Sequence, residues 1–221
     1  MEPTSAGSVN GVDLETGLRP KRGELAHLPQ VEYIETMGHS GIAAAEEAGH
    51  RIVVLDSDLA AALASFRRGF EAAGEAQIPA LSLPAGISCA EAVEHLARRS
   101  RGEGLGPDEV PSTTRFLVMD GAVVGVYTVR HRLTPRLREC GGQVGYSVRP
   151  DARDRGYATL LLGAARRFAA GLGLDRLLIT CDPRNIASRR VIEKHAGEFL
   201  DEYDLEGMGR GVRRYWLNTE G

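Results

Sequence analysis

Hydrophobic positions along the chain change period several times, and each change predicts an element. Arg51-Ile-Val-Val-Leu55 is a β-branched run that reads as a strand. Leu59, Leu63, Phe66 and Phe70 then recur at spacings of three and four, a helical stripe that Asp56 or Ser57 can cap. Gly74 to Ile87 has no period and reads as a loop. Ser88-Cys-Ala-Glu91 has the form of a capping box, opening a second helix that runs to about Arg99. After the glycine-rich loop Arg101–Asp108, Arg115–Met119 and Ala122–Val129 flank Asp120-Gly121, the signal of a tight hairpin. A third strand, Gln143–Arg149, stops at Pro150. Leu161, Ala164, Phe168 and Leu172 stripe a helix from Tyr157 to Leu172 that Gly173 ends. Arg176–Cys181 is a short apolar run of buried-strand type, Ile186–Lys194 a short helix, and Glu198–Asp204 and Val212–Leu217 are closing strands. The order β-α-α-β-β-β-α-β-α-β-β predicts an α/β (α+β) fold, a mixed sheet with helices packed on it.

Residues 1–50 lack such periodicity and are expected to form a flexible or loosely packed extension, with one or two helical turns at Ile42–His50. Residues 51–221 form a single domain. The start lacks the basic-then-apolar order of a secretory leader, and no apolar stretch approaches the roughly 20 residues of a membrane span. Three widely spaced cysteines fit reduced thiols and no metal-ligand pattern, so a cytoplasmic protein without a metal is expected. The net charge of −3 argues against nonspecific nucleic-acid binding. Residues 1–110 hold 9 Lys+Arg against 17 Asp+Glu (−8), and residues 111–221 hold 18 against 13 (+5). A basic second half suits a polyanionic cofactor and an acidic first half a cationic substrate; solvated faces would give the same asymmetry.

Candidate chemistry concentrates at Val148-Arg149-Pro150-Asp-Ala-Arg153-Asp154-Arg155-Gly156-Tyr157-Ala158-Thr159. A strand ends and an arginine-rich turn leads through Gly156 into an amphipathic helix. The first N–H groups of a helix have no intrahelical partners and carry the positive end of its dipole, so they can bind a pyrophosphate. Gly156 removes the Cβ that would hold phosphate oxygens off the chain, Ala158 keeps the second approach close, and Arg153 and Arg155 add charge. The longer glycine patterns of nucleotide triphosphatases and dinucleotide folds are missing.

Arg153-Asp-Arg-Gly156-Tyr-Ala158 resembles the (Gln/Arg)-x-x-Gly-x-(Gly/Ala) signature of the GNAT acetyltransferases. Val110-Pro-Ser-Thr-Thr114, Arg130-His-Arg-Leu133, Gly141-Gly142, Gly145-Tyr-Ser-Val-Arg-Pro150, Thr180-Cys-Asp182, Asn185-Ile-Ala-Ser188 and Arg214-Tyr-Trp216 are similar to one bacterial branch of predicted acetyltransferases. The resemblance covers about Leu55 to Leu217 and implies a mostly antiparallel sheet that binds acetyl-coenzyme A as co-substrate. It implies that the strand Gly145–Arg149 splays from Arg176–Cys181, with the pantetheine arm bonded near Ser147 and Val148 and by Asn185. The pyrophosphate would lie over Arg153, Asp154, Arg155, Gly156, Tyr157, Ala158 and Thr159. Relatives that carry a tyrosine seven residues after this asparagine use it to protonate the departing thiolate; here Ile192 stands there, and Ser188 is the implied partner of the sulfur. Glu139, His131 and Tyr146 are the candidates to deprotonate the amine, in that order for the first two, beside a relay through water. Gln143 stands where the branch often has histidine. The implied activity is direct transfer of acetyl to a primary amine in a ternary complex. Glu71, Glu75, Glu91 and Glu94, on the acidic side, suggest a small cationic amine. Acetylation of a protein N-terminus or lysine, or a non-catalytic acyl-CoA-binding module, are the alternatives. The expected partners are a small-molecule amine or peptide acceptor, with no membrane and no nucleic acid, and a homodimer is compatible with them.

Overall fold

The computed structural model describes residues 50–205, apart from 76 and 85, and residues 210–219. The helical turns expected at 42–50 lie outside the described residues except for His50, which belongs to the first strand. In chain order the elements are β1 His50–Val53, α1 Ala60–Ala72, α2 Cys89–Arg101, β2 Ser112–Met119, β3 Ala122–Arg130, α3 Pro135–Glu139, β4 Val144–Val148, a 3-10 turn Pro150–Ala152, α4 Tyr157–Gly171, β5 Arg176–Cys181, α5 Ile186–Lys194, β6 Glu198–Leu205 and β7 Arg210–Asn218. Every expected element from β1 onward is present, with shifted ends. One element was not foreseen. Thr134 accepts a hydrogen bond from Leu137 N at 3.2 Å and Pro135 occupies the first turn, so Thr-Pro opens the five-residue α3 in what reads as loop. The cap expected from Asp56 falls early: its Oδ1 accepts from Leu59 N at 3.0 Å and closes the turn that precedes α1. The capping box of α2 forms as expected, with both Ser88–Glu91 hydrogen bonds in place.

The strands form two antiparallel sheets, β1-β2-β3-β4 and β5-β7-β6. Asp120 and Gly121 both take positive φ (49° and 76°), the conformation a two-residue turn needs to match strand twist, and Met119 pairs with Ala122. On one face of the sheets Leu161, Leu162 and Phe168 of α4 pack with Val144, Val148, Ile179 and Tyr215. On the other face of the first sheet, Leu63, Phe66 and Phe70 of α1 and Leu96 of α2 bury Phe116, Val118 and Val126. The connection from α1 to α2 crosses that same face. Thr128 Oγ1 donates to Ala80 O at 2.6 Å, and Ala80 N donates to Ser147 Oγ at 3.3 Å, so two hydroxyls hold the loop across β3 and β4. Among the described residues no helix is long and apolar enough to cross a membrane.

The sheets meet at one point. Gln143 N donates to Leu178 O at 2.7 Å, while Leu178 N donates to Gln143 Oε1 at 3.1 Å. The side-chain amide thus completes, in one residue, the donor–acceptor pair that two strands would normally share. Gly142 sits against this contact, where a Cβ would lie 2.5 Å from Leu178 O. Gln143 is 3% exposed, so its acceptor cannot be replaced by solvent without opening the junction. Gln143→Met, which keeps the length and removes the acceptor, should cost about 1–3 kcal/mol by leaving Leu178 N–H buried and unpaired. A shift of the urea midpoint at constant m-value measures this; an unchanged midpoint would mean that the clasp contributes nothing.

Candidate active site

Past Gln143 the two sheets separate, and the strand registers show which atoms are left facing the gap. Arg130 N donates to Gln143 O at 2.8 Å and Arg149 N to Val124 O at 2.9 Å. These bonds fix the phase of β4: Gly145 and Ser147 turn their backbone groups to β3, and Tyr146 and Val148 turn theirs toward β5. On β5, Leu178 faces Gln143, so Thr180 faces the gap while Leu177, Ile179 and Cys181 pair with β7. No strand pairing joins β4 to β5. The Tyr146 and Val148 N–H groups are therefore available to a ligand arm lying between the strands as a substitute strand. The Val148 carbonyl accepts from Arg153 Nε at 3.3 Å. Ser147 differs from expectation. Its backbone belongs to β3, and its buried side chain holds the α1–α2 connection, so it shapes the opposite wall.

At the open end of the gap stands the turn into α4. Gly156 has φ 81° and is the N-cap of α4, with no side chain capping the helix and no acidic residue in its first turn. The first bond of the helix is Leu160 N to Gly156 O, so the N–H groups of Tyr157, Ala158 and Thr159 point outward without intrahelical partners. A Cβ placed on Gly156 meets nothing within 4 Å, so the space in front of these donors is open. Arg155 and Asp154 are exposed here, Asp154 with φ 61°. Tyr157 contributes only its backbone: its side chain is buried, and its hydroxyl donates to Met119 Sδ at 2.6 Å. Arg149 and Arg153 are less available than the sequence suggests. Arg149 Nε holds Asp151 at 2.6 Å, and the Arg149 stem packs over Gly69. Arg153 grips both carboxylate oxygens of Glu75 at 2.7 Å, which holds the Glu75 carboxyl below its ordinary range.

Ser188 and Tyr146, 42 residues apart, meet at the gap. Tyr146 Oη lies 2.9 Å from Ser188 Oγ and also donates to the Ser188 carbonyl at 3.3 Å. The placement follows from Asn185, whose side chain caps α5 by accepting from Ser188 N at 3.0 Å and so sets the first helical turn. Burial pushes the Tyr146 phenol up to about 12, with the Ser188 hydrogen bond opposing. The Tyr146 phenol thus keeps its proton over the whole physiological range. Ile192 is fully buried in the core under α4, so nothing at that position reaches the site.

The other two candidate bases lie apart from this pair. His131 follows β3, where its N donates to Pro111 O and its Nε2 lies 2.9 Å from Thr113 Oγ1 on β2. It is two strands from the gap, and burial lowers its pKa, so the structure does not bring it to the Ser188–Tyr146 pair. Glu139 ends α3, exposed, over the second sheet: Tyr203 Oη donates to its carbonyl, and Arg214 Nη1 donates to the neighbouring Arg138 carbonyl at 2.8 Å. Its carboxylate is open to solvent and reaches an acceptor only from outside. The acidic residues expected to steer a cation are largely engaged. Glu75 is bound by Arg153, Glu91 serves the α2 cap, and Glu94 lies 3.4 Å from Arg101. Thr180, which the sequence marks only as part of the Thr180-Cys-Asp182 strand end, also stands beside the gap, where its Oγ1 accepts from Gly141 N at 3.1 Å. Among the described residues no group of His, Cys, Asp and Glu could hold a metal ion.

A split sheet with free strand donors, closed at one end and leading at the other to an uncapped helix N-terminus, is a form for which known proteins can be compared. The sequence matches the family described as an acetyltransferase (GNAT) domain over residues 55–197. The chain belongs to the GNAT family. It is an acetyl-CoA-dependent acetyltransferase. The solved structures agree in fold. RimL, a ribosomal L7/L12 alpha-N-protein acetyltransferase solved with coenzyme A, is 18% identical, with 77% of this chain and 94% of that one covered at a TM-score of 0.55. RimJ of Mycobacterium smegmatis, solved with CoA-disulfide, is 17% identical over 76% and 81% of the two chains, with a TM-score of 0.55. yncA, a putative acetyltransferase of Salmonella typhimurium solved with acetyl-CoA, is 16% identical over 78% and 95%, with a TM-score of 0.54. No curated protein matches the sequence. An anion bound at the uncapped turn would lie against Gly156, which makes that residue testable. Gly156→Ala should cost about 1 kcal/mol of stability through its left-handed φ and weaken coenzyme A binding at least about tenfold by intruding on the donors. Calorimetry on the folded variant reads this; unchanged affinity would remove the turn from the binding site.

Proposed function

We propose that the enzyme transfers acetyl from acetyl-CoA to a primary amine by direct attack in a ternary complex, with the cofactor's thioester beside Val148 and its sulfur beside Ser188 and Tyr146. One observation carries this reading: the hydrogen-bonded Ser188–Tyr146 hydroxyl pair borders the same gap into which the Val148 N–H is free to donate. The pyrophosphate lies over Arg155, Gly156 and the N–H groups of Tyr157, Ala158 and Thr159, and the pantetheine arm pairs with the gap-facing groups of β4 and with the Asn185 amide. The α4 and α5 side is filled by the core, so the amine enters from the face of the α1–α2 connection. Its nitrogen attacks the carbonyl carbon, and the Val148 N–H stabilises the charge that develops on oxygen. The C–S bond then breaks. Ser188 Oγ passes a proton to the sulfur and is reprotonated by the Tyr146 phenol, which regains its proton from water; the proton lost by the amine leaves through water toward Glu139, which releases it to solvent. Holding both reactants in this geometry supplies much of the acceleration, so no covalent enzyme intermediate is required. A cationic acceptor has lost part of its support, because two of the four carboxylates that suggested it, Glu75 and Glu94, are held by arginines.

Because the hydroxyls act on a charge that exists fully only as the bond breaks, their removal should lower kcat more than it raises KM for acetyl-CoA. Ser188→Ala and Tyr146→Phe should each reduce kcat by about 10- to 100-fold, within the range of lost general-acid catalysis. The double variant should be little worse than either, since the two act as one relay. With the phenol pushed up to about 12, kcat should show no alkaline loss from Tyr146 across the neutral to moderately alkaline range. Losses confined to KM, or full additivity, would contradict the relay.

A further inference from the structure

Arg130 is the residue that the reaction as described leaves unused. It ends β3, two residues beyond Thr128, so both side chains stand on the face crossed by the α1–α2 connection, the side from which the amine enters. Nη1 of Arg130 donates to Gly141 O at 3.0 Å and Gly142 O at 3.1 Å. These are carbonyls and bring no charge. Among the described residues no carboxylate lies within ion-pair distance of Arg130, whereas Arg99 holds Glu109, Arg149 holds Asp151, Arg153 holds Glu75 and Arg214 holds Asp201. Arg130 is nonetheless half-buried, and its burial and the neighbouring Arg99 disfavour its charge, with Cys140 opposing them in part. A partly desolvated guanidinium without an anion is unfavourable unless something supplies one. Its surroundings are polar: Ser112 pairs with it across β2, and Thr114 and Thr128 share a hydrogen bond of 2.7 Å in the next row toward Gly145.

Resting on the proposed transfer at the β4–β5 gap, we infer that Arg130 determines acceptor specificity by binding a carboxylate carried by the amine substrate. Its planar fork, with Nη1 anchored on two carbonyls, presents the remaining donors in the geometry a carboxylate accepts. Spacing limits where that carboxylate sits. Arg130 lies opposite Gln143, three residues from Tyr146, or about 10 Å along the strand. The arginine side chain spans part of this, leaving on the order of 5 Å between amine and carboxylate, judged from the same strand spacing. Two sources fit: the acid group of a free amino acid, or an acidic side chain at the start of a peptide.

Acetylated products bind the acceptor side without reacting, so they test this directly. The full-length chain would be titrated calorimetrically, with and without saturating coenzyme A, against two pairs of probes. One pair is N-acetylaspartate and N-acetylasparagine amide; the other is an acetylated peptide amide beginning with Asp and its Asn counterpart. In at least one pair the carboxylate should bind about tenfold tighter or more; the pair that shows it identifies the source. Arg130→Met should abolish the difference and Arg130→Lys should weaken it, with coenzyme A affinity unchanged in both. A role confined to bracing the Gly141–Gly142 turn would lower all affinities together. Equal affinities within both pairs for the wild-type chain, or a preference that survives Arg130→Met, would overturn the inference. Failure of coenzyme A to bind the wild type would instead overturn the proposed transfer, since carboxylate discrimination is read without it as well.

Discussion

The hydrogen-bonded clasp between Gln143 and Leu178 is the constraint on which the site depends. Two antiparallel sheets that share a core would ordinarily continue pairing along adjacent strands, because unpaired backbone donors within a protein are costly. Here β4 and β5 are joined at one residue, with Gly142 allowing the close approach, and then diverge. The separation creates an open gap between the strands. It leaves N–H groups of Tyr146 and Val148 unpaired in the free protein, a debt that a ligand amide can settle. The same divergence lets the first turn of α5 reach across to β4, so that a serine and a tyrosine far apart in sequence share a hydrogen bond.

Charge is distributed so that the two ends of this space differ. At the open end the helix dipole and Arg155 favour an anion, while Arg153 and Glu75 neutralise one another and tie the turn into α4 to the start of the α1–α2 connection. At the closed end Arg130 stands against uncharged carbonyls. The face crossed by the α1–α2 connection is therefore less acidic than a count of charges along the first half implies. Net charge per half-chain says nothing about which carboxylates are already satisfied, and that is decided by partners such as Arg153, 78 residues distant from Glu75.

Much of the fold was legible because it follows from local periodicity. The stripe Leu63, Phe66, Phe70, the Asp-Gly turn and the Ser88–Glu91 box each encode an element within a few residues, and all three are present. The helix α3 was not foreseen because its five residues are too few to show a period, though Thr134-Pro135 marks its start. The uncapped turn into α4 was legible as a strand–glycine–helix sequence. What could not be read were contacts that depend on register: Ser147 turning from the cofactor to Ala80, His131 settling against Thr113, and Gln143 serving as a backbone mimic rather than standing in for a base. Tyr146 was legible as a candidate side chain, but its burial and its hydrogen bond to Ser188, which underlie the proton-donor role proposed for it, are not local.

The central claim is that coenzyme A occupies the gap between β4 and β5, pairing with donors that the sheet leaves unused. Amide hydrogen exchange resolved by residue tests it most directly, because the phase of β4 makes neighbouring amides respond oppositely. Adding coenzyme A should strongly slow exchange at Tyr146 and Val148 and at Tyr157, Ala158 and Thr159, while Gly145 and Ser147, already bonded to β3, change little. Uniform slowing along the whole of β4, or protection confined to another face of the domain, would contradict the account.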